Sequence, residues 1–192
     1  MRPTSVPGWA IRHGPRVQCQ VDPGELLGVM VGGVELTLHF LVFVLSCSRL
    51  MSVGVSFRPL DTATFIQLHD EAFRYFGDVT EECAYDQTKL VVIREQYREL
   101  TLNQRFHQYA STADYRIHAC EGYDPESKGK VEAGVKYVKQ DCLYGEVFSD
   151  EQAIRAHIQH RLGPWLTPAQ QFDYKTEYGI YAYHLRDVCQ DS

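Results

Sequence analysis

The sequence predicts an α/β fold, a mixed sheet of three antiparallel strands followed by parallel ones, with helices on both faces. Three observations lead there. Apolar, β-branched runs separated by turn signals occupy the stretch from Arg16 to Phe57. Helical spacing of apolar residues sets in at Asp61. From Glu82 onward short apolar strands alternate with helical segments.

Taken in order, Val17, Cys19 and Val21 alternate with Gln18, Gln20 and Asp22, the two-residue period of a strand, and Asp22 falls on its polar side. Gly32-Gly33 then separates this strand from the Leu-, Val- and Phe-rich run Glu35 to Ser46, a hairpin signal. A third strand, Leu50 to Phe57, completes an antiparallel meander. Asp61 caps a helix whose apolar positions are Phe65, Leu68, Ala72, Phe73 and Phe76, and Gly77 stands at its C-cap. Glu82 to Tyr85 is a short strand ending at Asp86, and Lys89 to Ile93 reads equally as strand or loop insertion. Asn103 caps a helix to about Thr112, and Tyr115 to Cys120 forms another strand. Gly122 to Ser127 is a turn-rich loop containing Pro125. A long helix starts near Ser127, with Val131, Val135 and Val138 as its core stripe and Lys128, Glu132, Lys136 and Lys139 on the adjacent face. A last helix covers Asp150 to Arg161.

With 192 residues and 44% apolar content, the chain is long enough for one domain with extensions. The expected division is an irregular leader at 1–15, a core at 16–162, and a tail at 163–192 without a recognisable element. Charged residues at 23% and aromatics at 12% exclude the composition of a disordered chain. The formal net charge of -6 argues against tight nucleic-acid binding, which draws on Lys and Arg. It does not argue against a carboxylate site, which is acidic until a cation occupies it. The six cysteines are scattered without a C-x-x-C pair and read as free thiols. No signal peptide is visible, and the apolar run Leu36 to Leu45 falls far short of the roughly 20 residues of a membrane span, so a cytoplasmic protein without a membrane partner is expected.

Three acidic residues stand where strand ends and a crossing helix can meet: Asp22, Asp86 and Glu132. Hard divalent cations prefer such oxygen ligands, and two of them about 3.5 to 4 Å apart can stabilise the attacking and leaving oxygens of phosphoryl transfer. With 25 acidic residues in the chain, the same placement also arises from composition alone. The local wording adds to it. The segment from Tyr123 to Glu132 contains Pro125, Ser127, Gly129, Val131 and Glu132 in a Pro-x-Ser-x-Gly-x-Val-Glu phrase, and it resembles the loop and helix start of the retroviral integrase and transposase core. Gln20-Val21-Asp22 and Tyr85-Asp86-Gln87 resemble the segments bearing that family's first and second aspartates.

The likeness is greatest to the IstA-type insertion-sequence transposases and covers about residues 16–160. It implies an RNase H-like core with a DDE triad of Asp22, Asp86 and Glu132 binding Mg2+ or Mn2+ and performing DNA cleavage and strand transfer. It also implies DNA contacts from Lys136, Lys139 and Lys128, a homo-oligomer, and a helper ATPase as partner. The span from Asp86 to Glu132 is longer than the superfamily's commonest one, and an insertion around Lys89 to Leu100 would absorb the difference. Two departures set a competing expectation. Pro23 follows Asp22 where the family has an aromatic residue, and proline lacks the N–H a central strand uses, so a bent strand or a damaged site is expected there. The family's DNA-binding flanks are not visible, the outline of a truncated copy. The alternative functions are therefore an inactive remnant that only binds DNA or a partner, and a nuclease of the same fold.

Overall fold

The computed structural model describes residues 18–46, 48–85, 91–96, 99–119 and 125–162, giving the backbone alone for 92–96, 99–102 and 125–130. Strand β1 (Gln18–Val31) turns through Gly32 and Gly33 into β2 (Val34–Leu45), which is followed by β3 (Met51–Ser56). The two glycines take φ of 57° and 80°, the left-handed pair a two-residue hairpin needs. Helix α1 (Thr62–Phe76) starts at its Asp61 cap, whose carboxylate accepts from the Thr64 amide, and ends at Gly77. Next come β4 (Glu82–Tyr85), the small hairpin of β5 (Val92–Gln96) and β6 (Glu99–Leu102), and α2 (Gln104–Ala113), capped by Asn103. The described part of the chain closes with β7 (Arg116–Ala119), α3 (Pro125–Tyr137), a π-helical turn over Val138–Cys142, β8 (Val147–Phe148) and α4 (Glu151–Leu162).

The main sheet runs in the order β3-β2-β1-β4-β7, with β8 also pairing β1. β2 is antiparallel to both β1 and β3, whereas β4 and β8 lie parallel to β1 and β7 lies parallel to β4. This is the expected mixed sheet. Its core is double because alternate residues of β2 face opposite ways. Leu41, Phe43 and Leu45 join Phe65, Phe73 and Phe106 of α1 and α2 on one side. Phe40, Val42 and Val44 join residues of α3, the π turn and α4 on the other. The described cysteines Cys19, Cys83 and Cys142 are buried free thiols, as expected; Cys47, Cys120 and Cys189 lie outside the described residues.

Several boundaries differ from the sequence reading. α3 begins at Pro125, not near Ser127, because a proline lacking its amide hydrogen is tolerated in a first turn where that hydrogen has no partner. The π turn, in which the Leu143 amide reaches back to the Val138 carbonyl at 3.1 Å, and the two-residue β8 carry no sequence signal long enough to read. The ambiguous stretch after Asp86 contains a hairpin that forms its own two-stranded sheet.

Pro23 does not break β1. The ladder with β2 runs unshifted through Asp22↔Val42, Pro23↔Leu41 and Gly24↔Phe40, and its irregularity lies further on, between Leu26 and Val29. The reason is one of topology. β4 pairs β1 only over Gln18 to Val21, and β8 only at Met30 and Val31. Between those spans β1 has a described neighbour on one side alone, the edge-like situation in which proline is accommodated.

At the β3 edge, Arg155 of α4 donates to the Val55 carbonyl at 3.1 Å and to Glu71 of α1 at 3.2 Å. One side chain thus ties together the helices of the two faces.

Candidate catalytic site

Asp22 is placed by β1. Cys19 and Val21 are buried in the core beneath α1, so alternation turns Gln20 and Asp22 to the opposite face, under α3. Their partners in β2, Val44 and Val42, are core residues of that face. Asp22 itself is half-buried.

α3 crosses directly above. A Cβ at Gly134 would lie 2.9 Å from Met51 Sδ, 3.1 Å from Val42 Cγ1 and 3.5 Å from Val44 Cγ2. The helix backbone therefore rests on the two valines that flank Asp22 and Gln20, an approach that glycine favours and a bulky side chain would prevent. Glu132 stands two residues earlier on α3, exposed, next to the buried Val131. Lys136 is exposed one turn further on, and Lys139 is half-buried in the π turn. The side chain of Lys128 and all of Asp86 lie outside the described residues. The described part of β4 ends at Tyr85, in register with Val21, the neighbour of Asp22.

Among the described residues no group of three or more His, Cys, Asp or Glu side chains is placed to hold a metal ion. The face beneath α3 nevertheless offers oxygen donors suited to a hard cation. Beside Asp22, the Gln20 side chain is 3% exposed, and its amide oxygen has no hydrogen-bond partner among the described residues.

Sequence reasoning passed over two residues. Gln20 was legible as a polar residue two before Asp22 on the same strand face, but its burial was not. His69 occupies the inner stripe of α1 four residues after Phe65 and is fully buried. Its Nδ1 lies 2.7 Å from the Phe65 carbonyl and its Nε2 2.9 Å from the Tyr85 hydroxyl, while the Tyr85 and Tyr115 hydroxyls are 3.3 Å apart. A carbonyl can only accept, so the neutral ring carries its proton on Nδ1 and accepts from Tyr85 at Nε2. Burial lowers the His69 pKa from its ordinary 6.5 to about 3, against the weaker opposing effect of the Phe65 carbonyl. It likewise raises that of Tyr85. This network braces the last residue of β4 from the side away from α3.

No family model matches the chain. Among solved structures, the catalytic core domain of BIV integrase superposes with a TM-score of 0.51 over 76% of this chain and 80% of that one, at 13% identity, a likeness of fold. In sequence, a transposase for an IS21-like insertion sequence element of Bacteroides fragilis is 37% identical over 131 residues, 68% of this chain. The chain is similar in sequence to insertion-sequence transposases and shares the fold of an integrase catalytic core. A putative transposase for insertion sequence element IS5376 of Geobacillus stearothermophilus is 28% identical over 167 residues, 86% of this chain. This transposase-type core spans 25% and 40% of those two relatives' lengths. Its mixed sheet with helices on both faces is the RNase H-like arrangement of integrase cores. No described helix of the core is long and apolar enough to cross a membrane.

Proposed function

We propose that this core carries out divalent-metal-dependent cleavage and transfer of DNA strands, with Asp22, Asp86 and Glu132 as a DDE triad holding Mg2+ or Mn2+. The observation that carries the proposal is the placement of Asp22 on the β1 face that α3, the helix bearing Glu132, crosses. The end of β4 at Tyr85, beside Val21, supports the assignment of Asp86 to the same strand end. The similarity to transposases supports the choice of DNA as substrate.

In this reading the carboxylates position two cations, which would polarise the phosphodiester and stabilise the attacking and leaving oxygens. The protein supplies geometry. Asp22 is fixed by a strand paired on both flanks up to Val21, and Glu132 by a helix locked to the sheet at Gly134. Water would attack phosphorus in the first step, breaking the P–O bond to the 3′ oxygen; the freed 3′-hydroxyl would then attack a phosphodiester of the second DNA strand, forming a new P–O bond as that strand's own P–O3′ bond breaks and its 3′-hydroxyl leaves. Lys136, Lys139 and Lys128 would meet DNA phosphates along α3 and the turn that follows it. DNA is thus the partner, a homo-oligomer the working form, and an ATPase the helper. The competing view of an inactive remnant drew on Pro23 and on the missing flanks; the unshifted ladder at Pro23↔Leu41 speaks against the first of these.

The test is nicking of supercoiled plasmid by the 192-residue chain in Mg2+ and Mn2+, beside Asp22→Asn, Asp86→Asn and Glu132→Gln. Each substitution should reduce metal-dependent nicking at least about 100-fold, the equivalent of several kcal/mol of lost charge stabilisation, while leaving the melting temperature of the metal-free protein nearly unchanged. Nicking that persists in the Asp22 and Glu132 variants would sink the assignment.

A further inference from the structure

Gln20 presents an unusual arrangement. It sits in the middle of the sheet between Val44 of β2 and Ala84 of β4, its register partners on either side. Neither neighbour's side chain has a donor to offer. Gln20 is 3% exposed, and its amide oxygen has no partner among the described residues. A buried acceptor left without a donor is destabilising, so a side chain kept there at that cost is expected to meet a donor in some state of the protein.

Its surroundings indicate which donor. Gln20 shares its face with Asp22, two residues and about 6.6 Å along the strand. α3 roofs that face at Gly134, against the Val44 beside Gln20 and the Val42 beside Asp22. Small divalent cations, Mg2+ above all, keep several of their waters when only one or two carboxylates bind them, and those waters are strong donors. We infer that Gln20 is a positioning residue of the metal site, accepting a hydrogen bond from a water in the hydration shell of the cation held at Asp22. This rests on the reading of Asp22 as a metal ligand. Gln20 then has opposite effects in the two states: its oxygen, without a partner among the described residues, weakens the metal-free fold and strengthens cation binding.

Calorimetric titration of the full chain with Mn2+, together with melting curves in its absence, tests this on Gln20→Leu, Gln20→Met and Asp22→Asn. Gln20→Leu is expected to raise the metal-free melting temperature by about 2–4 °C and to weaken Mn2+ binding about 10-fold. Gln20→Met, an unbranched replacement without a strong acceptor, should do the same and serves if leucine does not fit. A lower melting temperature in Gln20→Met would show that the amide has its partner within the fold, and unchanged Mn2+ affinity in either variant would show that it serves no cation; each overturns the inference. Asp22→Asn separates the two readings. If it binds Mn2+ as the wild type does, the metal assignment of Asp22 is wrong. If it loses binding while the Gln20 variants keep it, only the role of Gln20 falls.

Discussion

His69 shows how a single buried side chain contributes to the pH response of this protein. Its folded pKa of about 3 lies below the ordinary 6.5, so between those values the unfolded chain takes up a proton that the folded chain refuses. The stability linked to His69 is therefore complete above pH 6.5 and is lost as the pH falls toward 3, at about 1.4 kcal/mol per pH unit. Urea unfolding at pH 7, 6 and 5 should show a loss of roughly 2 kcal/mol by pH 5. In His69→Gln, whose amide can donate to the Phe65 carbonyl and accept from Tyr85 without titrating, that slope should flatten; an equally steep one would exclude His69 as its source. At this scale the sequence was half legible. A histidine at the inner spacing of α1 can be read as a core residue, and Asp22 as a polar residue of its strand. That Tyr85 is the partner of His69, or that Gln20 is shut off from water, depends on elements brought together from distant parts of the chain.

Among the elements, α3 carries the sharpest steric demand. At Gly134 the backbone lies so close to β2 that even a methyl group would press on Met51 and Val42. Gly134→Ala should nearly break even, since the helix gains about 1 kcal/mol of propensity while the end of Met51 gives way. Gly134→Val has no such relief. It should destabilise the fold by at least about 2 kcal/mol, and by lifting α3 it should also weaken Mn2+ binding, measured by calorimetry under conditions where the variant is folded. A variant that is destabilised yet binds Mn2+ as before would detach the helix position from the site. Elements with a long periodic signal were readable: the hairpin at Gly32-Gly33, α1 with both caps, α2 behind Asn103 and the stripe of α3. Those that misled were short or decided by context. Pro23 argues locally for a disrupted strand, and the answer turns on where β4 stops pairing, a fact that resides in another segment.

For the molecule as a whole, the net charge of -6 limits what the core can do alone. Among the described residues, Lys136 of α3 and Lys139 of the turn after it offer a small cationic surface, so duplex DNA binding by this chain should be weak and should fade between about 50 and 200 mM salt, as fluorescence anisotropy would record. Nanomolar affinity for random duplex at physiological salt would contradict this. The fold class was legible because the order of strands and helices was, and the parallel pairing of β4 and β7 follows from the helices between the strands. Among the described residues the same sheet ends in β3 on one side and β7 on the other, and the two differ. β7 is four residues long and carries Arg116 and His118, too short and too charged to template a foreign strand. β3 is longer and more apolar, yet Arg155 occupies its Val55 carbonyl while anchored to Glu71, so a guanidinium stands where an incoming strand would begin to pair. The residue that clamps the two helical layers thereby also serves as a guard against a second copy adding its strand to β3.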